Sequence, residues 1–166
     1  PPHEGTQGLI LVGLYGLGHG PEAAAAAGAA CSYVEAHQDE SLGSLMRGLH
    51  RAIAHTRGAA VALVRIRPDA GEMIHTAVGN VEVVGLFQEE VRPLFAPGIV
   101  GYNMRRVVER SFRIHGGDVF VIHTDGVSQR LNLERYRHLE AQALAEAVLG
   151  HWGYGHDDAT CVSVCC

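Results

Sequence analysis

Three aspartates stand where an apolar run meets a glycine. Asp125 lies in Thr124-Asp125-Gly126, directly after Val-Phe-Val-Ile-His; Asp157 and Asp158 follow Gly155-His156 and precede the run Ala-Thr-Cys-Val-Ser-Val. A carboxylate at a strand end is held by a rigid sheet yet faces solvent, and hard divalent cations require such oxygen donors. The same residues also satisfy ordinary turn chemistry, because Asp-Gly is a frequent turn dipeptide and paired aspartates before a strand are commonly just solvated. A further feature is the turn Gly16-Leu17-Gly18-His19-Gly20, which runs from an apolar strand towards a helix. Its exposed backbone carbonyls suit a cation. As a phosphate cradle it is weak, since it lacks the Walker lysine and the hydroxyl residue after it, and it does not fit GxGxxG.

The elements that must position these residues follow from periodicity and punctuation. Leu9 to Leu14 reads as a buried strand ending in the glycine turn, and Pro21 is pre-set for the first turn of the helix that follows. A second helix has Ser41 as N-cap and an apolar face of Leu42, Leu45, Met46, Leu49 and Ile53, with Gly58 as its C′ residue. Period-2 strands come next, over AAVALVRIR, MIHTAVG and VEVVGLF. The runs SFRI and VFVIHT, joined by His115-Gly116-Gly117-Asp118, read as a β-hairpin. A third helix is expected over 132–150, with Leu133, Tyr136, Leu139, Leu144 and Val148 on its apolar side. Hairpin strands with helices grouped in blocks give an α+β class, antiparallel sheets covered by helices.

Composition narrows the function classes. With 166 residues the chain is one domain, 1–166, and 18 acidic against 13 basic residues leave a net charge of −5. Recognition of nucleic acid or an anionic membrane by bulk charge is thereby disfavoured. No apolar run approaches the ~20 residues of a membrane helix. Cys31, Cys161, Cys165 and Cys166 form no framework spacing and no CxxC, which points to a reducing cytoplasm. Arg105, Arg106, Arg110 and Arg113 form the one concentrated basic cluster, either a solvated face or a dock for an acidic or phosphorylated partner.

Taken in order, the blocks GLGHGPEA, LMRGLHRAIAHTRGAA, PGIVG, GDVFVIHTDGV and GHDDATCVSV resemble the PPM-type phosphatases, in particular the SpoIIE/RsbX-like branch of bacterial serine/threonine phosphatases. The resemblance covers about residues 9–164. It implies a four-layer α-β-β-α sandwich, two antiparallel sheets flanked by helices, with a metal site at one end. The implied activity is hydrolysis of phosphoserine or phosphothreonine on a regulatory partner protein, of the anti-sigma antagonist or stressosome type, with neither nucleic acid nor membrane involved. One or two Mn²⁺ or Mg²⁺ ions would activate water for attack on phosphorus. By the same resemblance Asp125 and Asp157 are the catalytic metal ligands, and Gly16 offers a main-chain carbonyl. Asp158 gives support, Thr160 is structural, and His19 belongs to the glycine turn. A shortened N-terminus is also expected, because the acidic residue that the family carries on an earlier strand has no counterpart before Leu9.

One position departs from the family pattern. Where the family has an aspartate before the glycine of DGLGHG, bridging two metals, this chain has Tyr15. A phenol with a pKa near 10 supplies no such charge and is bulkier than a carboxylate. Two readings follow: a phosphatase with an altered metal site, or a degenerate member that binds a partner without turning it over. The intact blocks around Asp125 and Asp157 favour the first.

Overall fold

The computed structural model describes residues 8–18, 20–155 and 158–166. Eight strands and three helices follow in the order β1 (Leu9–Gly16), α1 (Pro21–Ala36), α2 (Leu42–Ala52), β2 (Ala59–Arg67), β3 (Glu72–Val78), β4 (Glu82–Leu86), β5 (Phe95–Ala96), β6 (Arg110–Arg113), β7 (Val119–His123), α3 (Ala141–Trp152) and β8 (Cys161–Cys165). The first sheet runs β1-β2-β3, with β5 and β6 both against the far edge of β3; the second is β4-β7-β8. All pairings are antiparallel except the two-residue contact of β3 with β5.

Strand alternation sorts the side chains into three apolar layers. On β1, Ile10, Val12 and Leu14 face the helices, packing with Ala30, Val34, Leu45 and Leu49. Leu11 and Tyr15 face the other way, into the layer between the sheets, with Ala60, Ala62, Val64, Phe120 and Ile122. Val119 and Val121 of β7 point outward onto Leu144 and Val148 of α3. The order is helix, sheet, sheet, helix. Strands β2 and β7, buried on both faces, are accordingly apolar over Ala59–Val64 and Val119–Ile122 rather than alternating there. Each fully buried Leu or Phe of these layers contributes roughly 1.5–3 kcal/mol of transfer free energy.

Helix α2 carries the strongest local signal. Ser41 Oγ accepts the Ser44 N–H at 3.2 Å, the N-cap arrangement its sequence predicts. Its end differs from expectation: the helix stops at Ala52, so Gly58 is not its C′ residue. Gly58 has φ 81° and opens β2, and a Cβ there would meet the Val100 carbonyl oxygen at 2.5 Å. The third helix is also shorter than expected. Leu133–Tyr136 form a 3₁₀ turn, and α3 proper begins at Ala141. All five apolar residues assigned to it nonetheless pack on one side, against β7.

The expected β6–β7 hairpin does not form. Strand β6 pairs with β3 in the first sheet, Met73 opposite Phe112, whereas β7 lies in the second sheet. The Gly116-Gly117 turn therefore crosses between layers. Asp118 anchors that crossing: its buried carboxylate accepts from the His115 N–H at 2.8 Å and the Gln88 N–H at 2.9 Å.

Candidate metal centre

Gly79-Asn80-Val81 is the short link from β3 to β4, so the end of the first sheet at Gly16, Ala59 and Val78 adjoins the end of the second at Glu82, His123 and Cys161. The sheets close on each other just inside that end. A Cβ on Gly13 would lie 2.5 Å from Ile122 Cγ2 and 3.0 Å from Val81 Cγ1, so only a glycine lets β1 approach β7 there. Tyr15, two residues farther on and on the same face, opposes Ala60 and packs in the inter-sheet layer at this end.

Asp125 follows β7 in a tight turn closed by the Val127 N–H on the Thr124 carbonyl, 3.1 Å. Thr124 is buried and clamps the segment before β8. Its N–H donates to the Thr160 carbonyl at 3.2 Å, and its Oγ1 accepts the Thr160 N–H at 3.1 Å. Gly126 is pressed against the same segment: a Cβ there would stand 2.2 Å from the Asp158 carbonyl oxygen. Two more bonds zip the loops, Tyr154 N–H to Gly126 O and Ser128 N–H to Trp152 O, each 2.8 Å. The loop carrying Asp125 and the one carrying Asp158 are thus one structural unit, and both aspartates are exposed on it.

Gly16 ends β1 opposite Ala59, and a Cβ on it would meet the Ala23 carbonyl oxygen of α1 at 2.5 Å. Helix α1 can begin where it does because that residue has no side chain. Leu17 N–H donates to the Gly58 carbonyl at 3.1 Å, and Gly18 and Gly20 take φ values of 82° and 83° that favour glycine. Asp157 and His19 lie outside the described residues, as does His156. Among the described residues no three His, Cys, Asp or Glu side chains converge as a metal cage. The exposed side-chain donors on the joined loops, the carboxylates of Asp125 and Asp158, are oxygen, the chemistry a hard dication takes.

One contact was not foreseen from the sequence. Asn80 in the β3–β4 link donates its side-chain amide to Asp125 Oδ2. In sequence, Gly79-Asn80 is indistinguishable from a plain turn, and the signal that would have found it is its place in the link between the two sheets. Glu82, two residues on, accepts from Gln129 Nε2 at 3.4 Å, a second tie between the same segments. His123 is buried with Nδ1 against the Thr124 carbonyl at 2.9 Å, and opposite it burial raises the Cys161 thiol to about 11.

The model of the family described as Stage II sporulation protein E (SpoIIE) matches residues 7–165. A chain solved in work on the bacterial stressosome, as a modular system adapted to control secondary messenger signalling, is 33% identical with a TM-score of 0.86, over 93% of this chain and 82% of that one. RsbX in complex with magnesium is 21% identical, TM-score 0.81, over 93% and 78%. The Mycobacterium tuberculosis serine/threonine phosphatase PstP is 15% identical, TM-score 0.69, over 93% and 86%, a likeness of fold. No curated protein matches the chain in sequence.

Proposed function

The chain belongs to the SpoIIE family of PPM-type phosphatases, and from that premise we propose that it hydrolyses phosphoserine or phosphothreonine on a regulatory partner protein in a divalent-metal-dependent reaction. The observation that carries the reading is the joining of the Asp125 turn to the Asp158 segment through Thr124–Thr160 and Gly126, at the end of the sandwich where Gly16 also lies. Mn²⁺ or Mg²⁺ there would be held by Asp125, Asp157 and the Gly16 carbonyl, and would supply Lewis-acid polarisation of the phosphate and a water of lowered pKa. Asp125 is held in one orientation by the Asn80 amide. Since a carboxylate offers about four acceptor sites, that bond leaves it capacity to bind a cation. The Thr124 clamp fixes the spacing of the two acidic loops, and the rigid strand ends behind them limit reorganisation.

Tyr15 favours a second reading. It fills the inter-sheet layer at this end with a neutral aromatic ring, where the family pattern has a carboxylate bridging two ions. A chain so altered would hold its phosphorylated partner without turning it over. Hydrolysis of p-nitrophenyl phosphate and of a phosphoserine protein with Mn²⁺ separates the two. The phosphatase reading requires turnover that EDTA stops and that Asp125→Asn removes. Turnover unchanged in Asp125→Asn would reject the site, and a well-folded wild type with none would leave the binding module.

A further inference from the structure

We infer that β6 together with the exposed segment leading into it, residues 102–113, is a docking surface for an extended acidic segment of a partner protein. The chain carries a net charge of −5, and its 13 basic residues are all arginine. Four of them, Arg105, Arg106, Arg110 and Arg113, fall close together in sequence, the first two in the segment leading into β6 and the last two on β6 itself, and all four are exposed. Elsewhere Arg57, Arg67 and Arg92 each pair with a glutamate, Glu22, Glu72 and Glu90. The four on and before β6 make no ion pair with any described residue. The one carboxylate among them, Glu109, is already engaged, accepting the Gly43 N–H at 2.5 Å. An acidic protein thus keeps a local stretch of uncompensated positive charge.

The backbone adds direction. Among the described residues β6 pairs with β3 on one side only, so the N–H and C=O groups of its other edge are open to a further strand. Arg110 and Arg113 at the two ends of that edge repel a like-charged edge, a second copy included, and attract a strand bearing carboxylates. Guanidinium groups bind carboxylates with paired, parallel hydrogen bonds, which adds register to attraction. The surface and the candidate centre share the first sheet. Val100 and Ala59 exchange backbone bonds of 2.9 Å, Ala59 lies opposite Gly16, and Tyr102 next along is 76% exposed. β6 and Gly16 thus belong to one sheet, with β3 and β2 between them. The inference rests on the proposed phosphatase reading for what happens to the partner there, whereas binding needs no turnover.

The test is fluorescence anisotropy of a fluorescein-labelled poly-glutamate peptide, in EDTA at low salt, against the full chain. Arg105→Ala with Arg106→Ala, and Arg110→Ala with Arg113→Ala, should each weaken binding roughly three- to tenfold. Arg135→Ala with Arg137→Ala, an exposed basic pair on the other side of the molecule's sequence order, should leave it unchanged. Equal weakening by the control pair would mean bulk charge and overturn the dock, as would a wild type that fails to bind. Circular dichroism confirms folding of each variant. A wild type that binds the peptide but does not hydrolyse p-nitrophenyl phosphate supports the dock and removes only the phosphatase reading.

Discussion

The side-chain amide of Asn80 donates to the carboxylate of Asp125, tying the link between β3 and β4 to the turn that ends β7. One residue comes from the connection between the two sheets and the other from the turn after the central strand of the second. Their contact holds the candidate metal ligand across the boundary of the sandwich. Removing such an orienting partner lowers metal affinity by roughly 10–100-fold. Asn80→Ala should therefore weaken Mn²⁺ binding by that factor in isothermal titration calorimetry. Asn80 is exposed, so the unfolding free energy from urea titration should hold to within roughly 0.5 kcal/mol. Unchanged Mn²⁺ affinity would show that Asp125 needs no such partner.

Tyr15→Asp restores the carboxylate of the family pattern at the inward-facing end of β1. The expected result is tighter Mn²⁺ binding and p-nitrophenyl phosphate turnover raised at least tenfold over wild type, a barrier change of about 1.4 kcal/mol. The substitution also removes an aromatic ring from the inter-sheet layer, so a lower melting temperature should accompany the gain. Steady-state kinetics and a thermal melt on the same preparation read both. A folded variant with neither tighter Mn²⁺ binding nor faster turnover would place the defect away from Tyr15.

What was legible in the sequence was what local physics decides. Ser41 caps α2 because a hydroxyl can reach the free N–H of Ser44, and the apolar residues of AAVALVRIR and VFVIH mark β2 and β7 as strands. The helix-side and inter-sheet faces of β1 follow from alternation alone. The partner of β6 was not legible. Adjacent strands joined by a glycine turn ordinarily form a hairpin, but the Asp118 carboxylate turns this connection into a crossing, and β6 meets β3 instead. The site divides the same way. Asp125 stands out as an acid at a strand end, whereas Asn80 earns its place through a contact 45 residues away in sequence.

Gly126 illustrates how closely the two acidic loops are joined. A methyl group there would fall 2.2 Å from the Asp158 carbonyl oxygen and 2.9 Å from the Ala159 Cα, both backbone atoms that cannot rotate aside. Gly126→Ala should therefore push the β8-leading segment away and cost roughly 1–3 kcal/mol, the range of overpacked sites. A lower urea midpoint with an unchanged m-value would report that loss. Because Asp158 moves with its backbone, Mn²⁺ affinity should fall in the same variant. Full stability in Gly126→Ala would mean that the loops are not in contact in solution.

His75 sets an acid limit on stability. It sits in the inter-sheet face of β3, 2% exposed, with Nε2 lacking a hydrogen-bond partner among the described residues, beside a cavity of about 60 Å³ that Glu82, Pro93 and Phe95 also line. Burial disfavours the imidazolium and lowers its pKa from 6.5 to about 4. The unfolded chain, with the ordinary pKa, binds this proton below about pH 6.5, and the folded chain binds it only below about pH 4. Between those values the unfolded state holds more protons, so stability rises with pH there and is lost on acidification. The full window corresponds to a few kcal/mol, on the order of 3. Urea midpoints measured at steps between about pH 7 and pH 4 should fall steeply for the wild type and less steeply for His75→Leu, which has no proton to take up. Parallel curves for the two proteins would show that His75 does not carry the acid sensitivity.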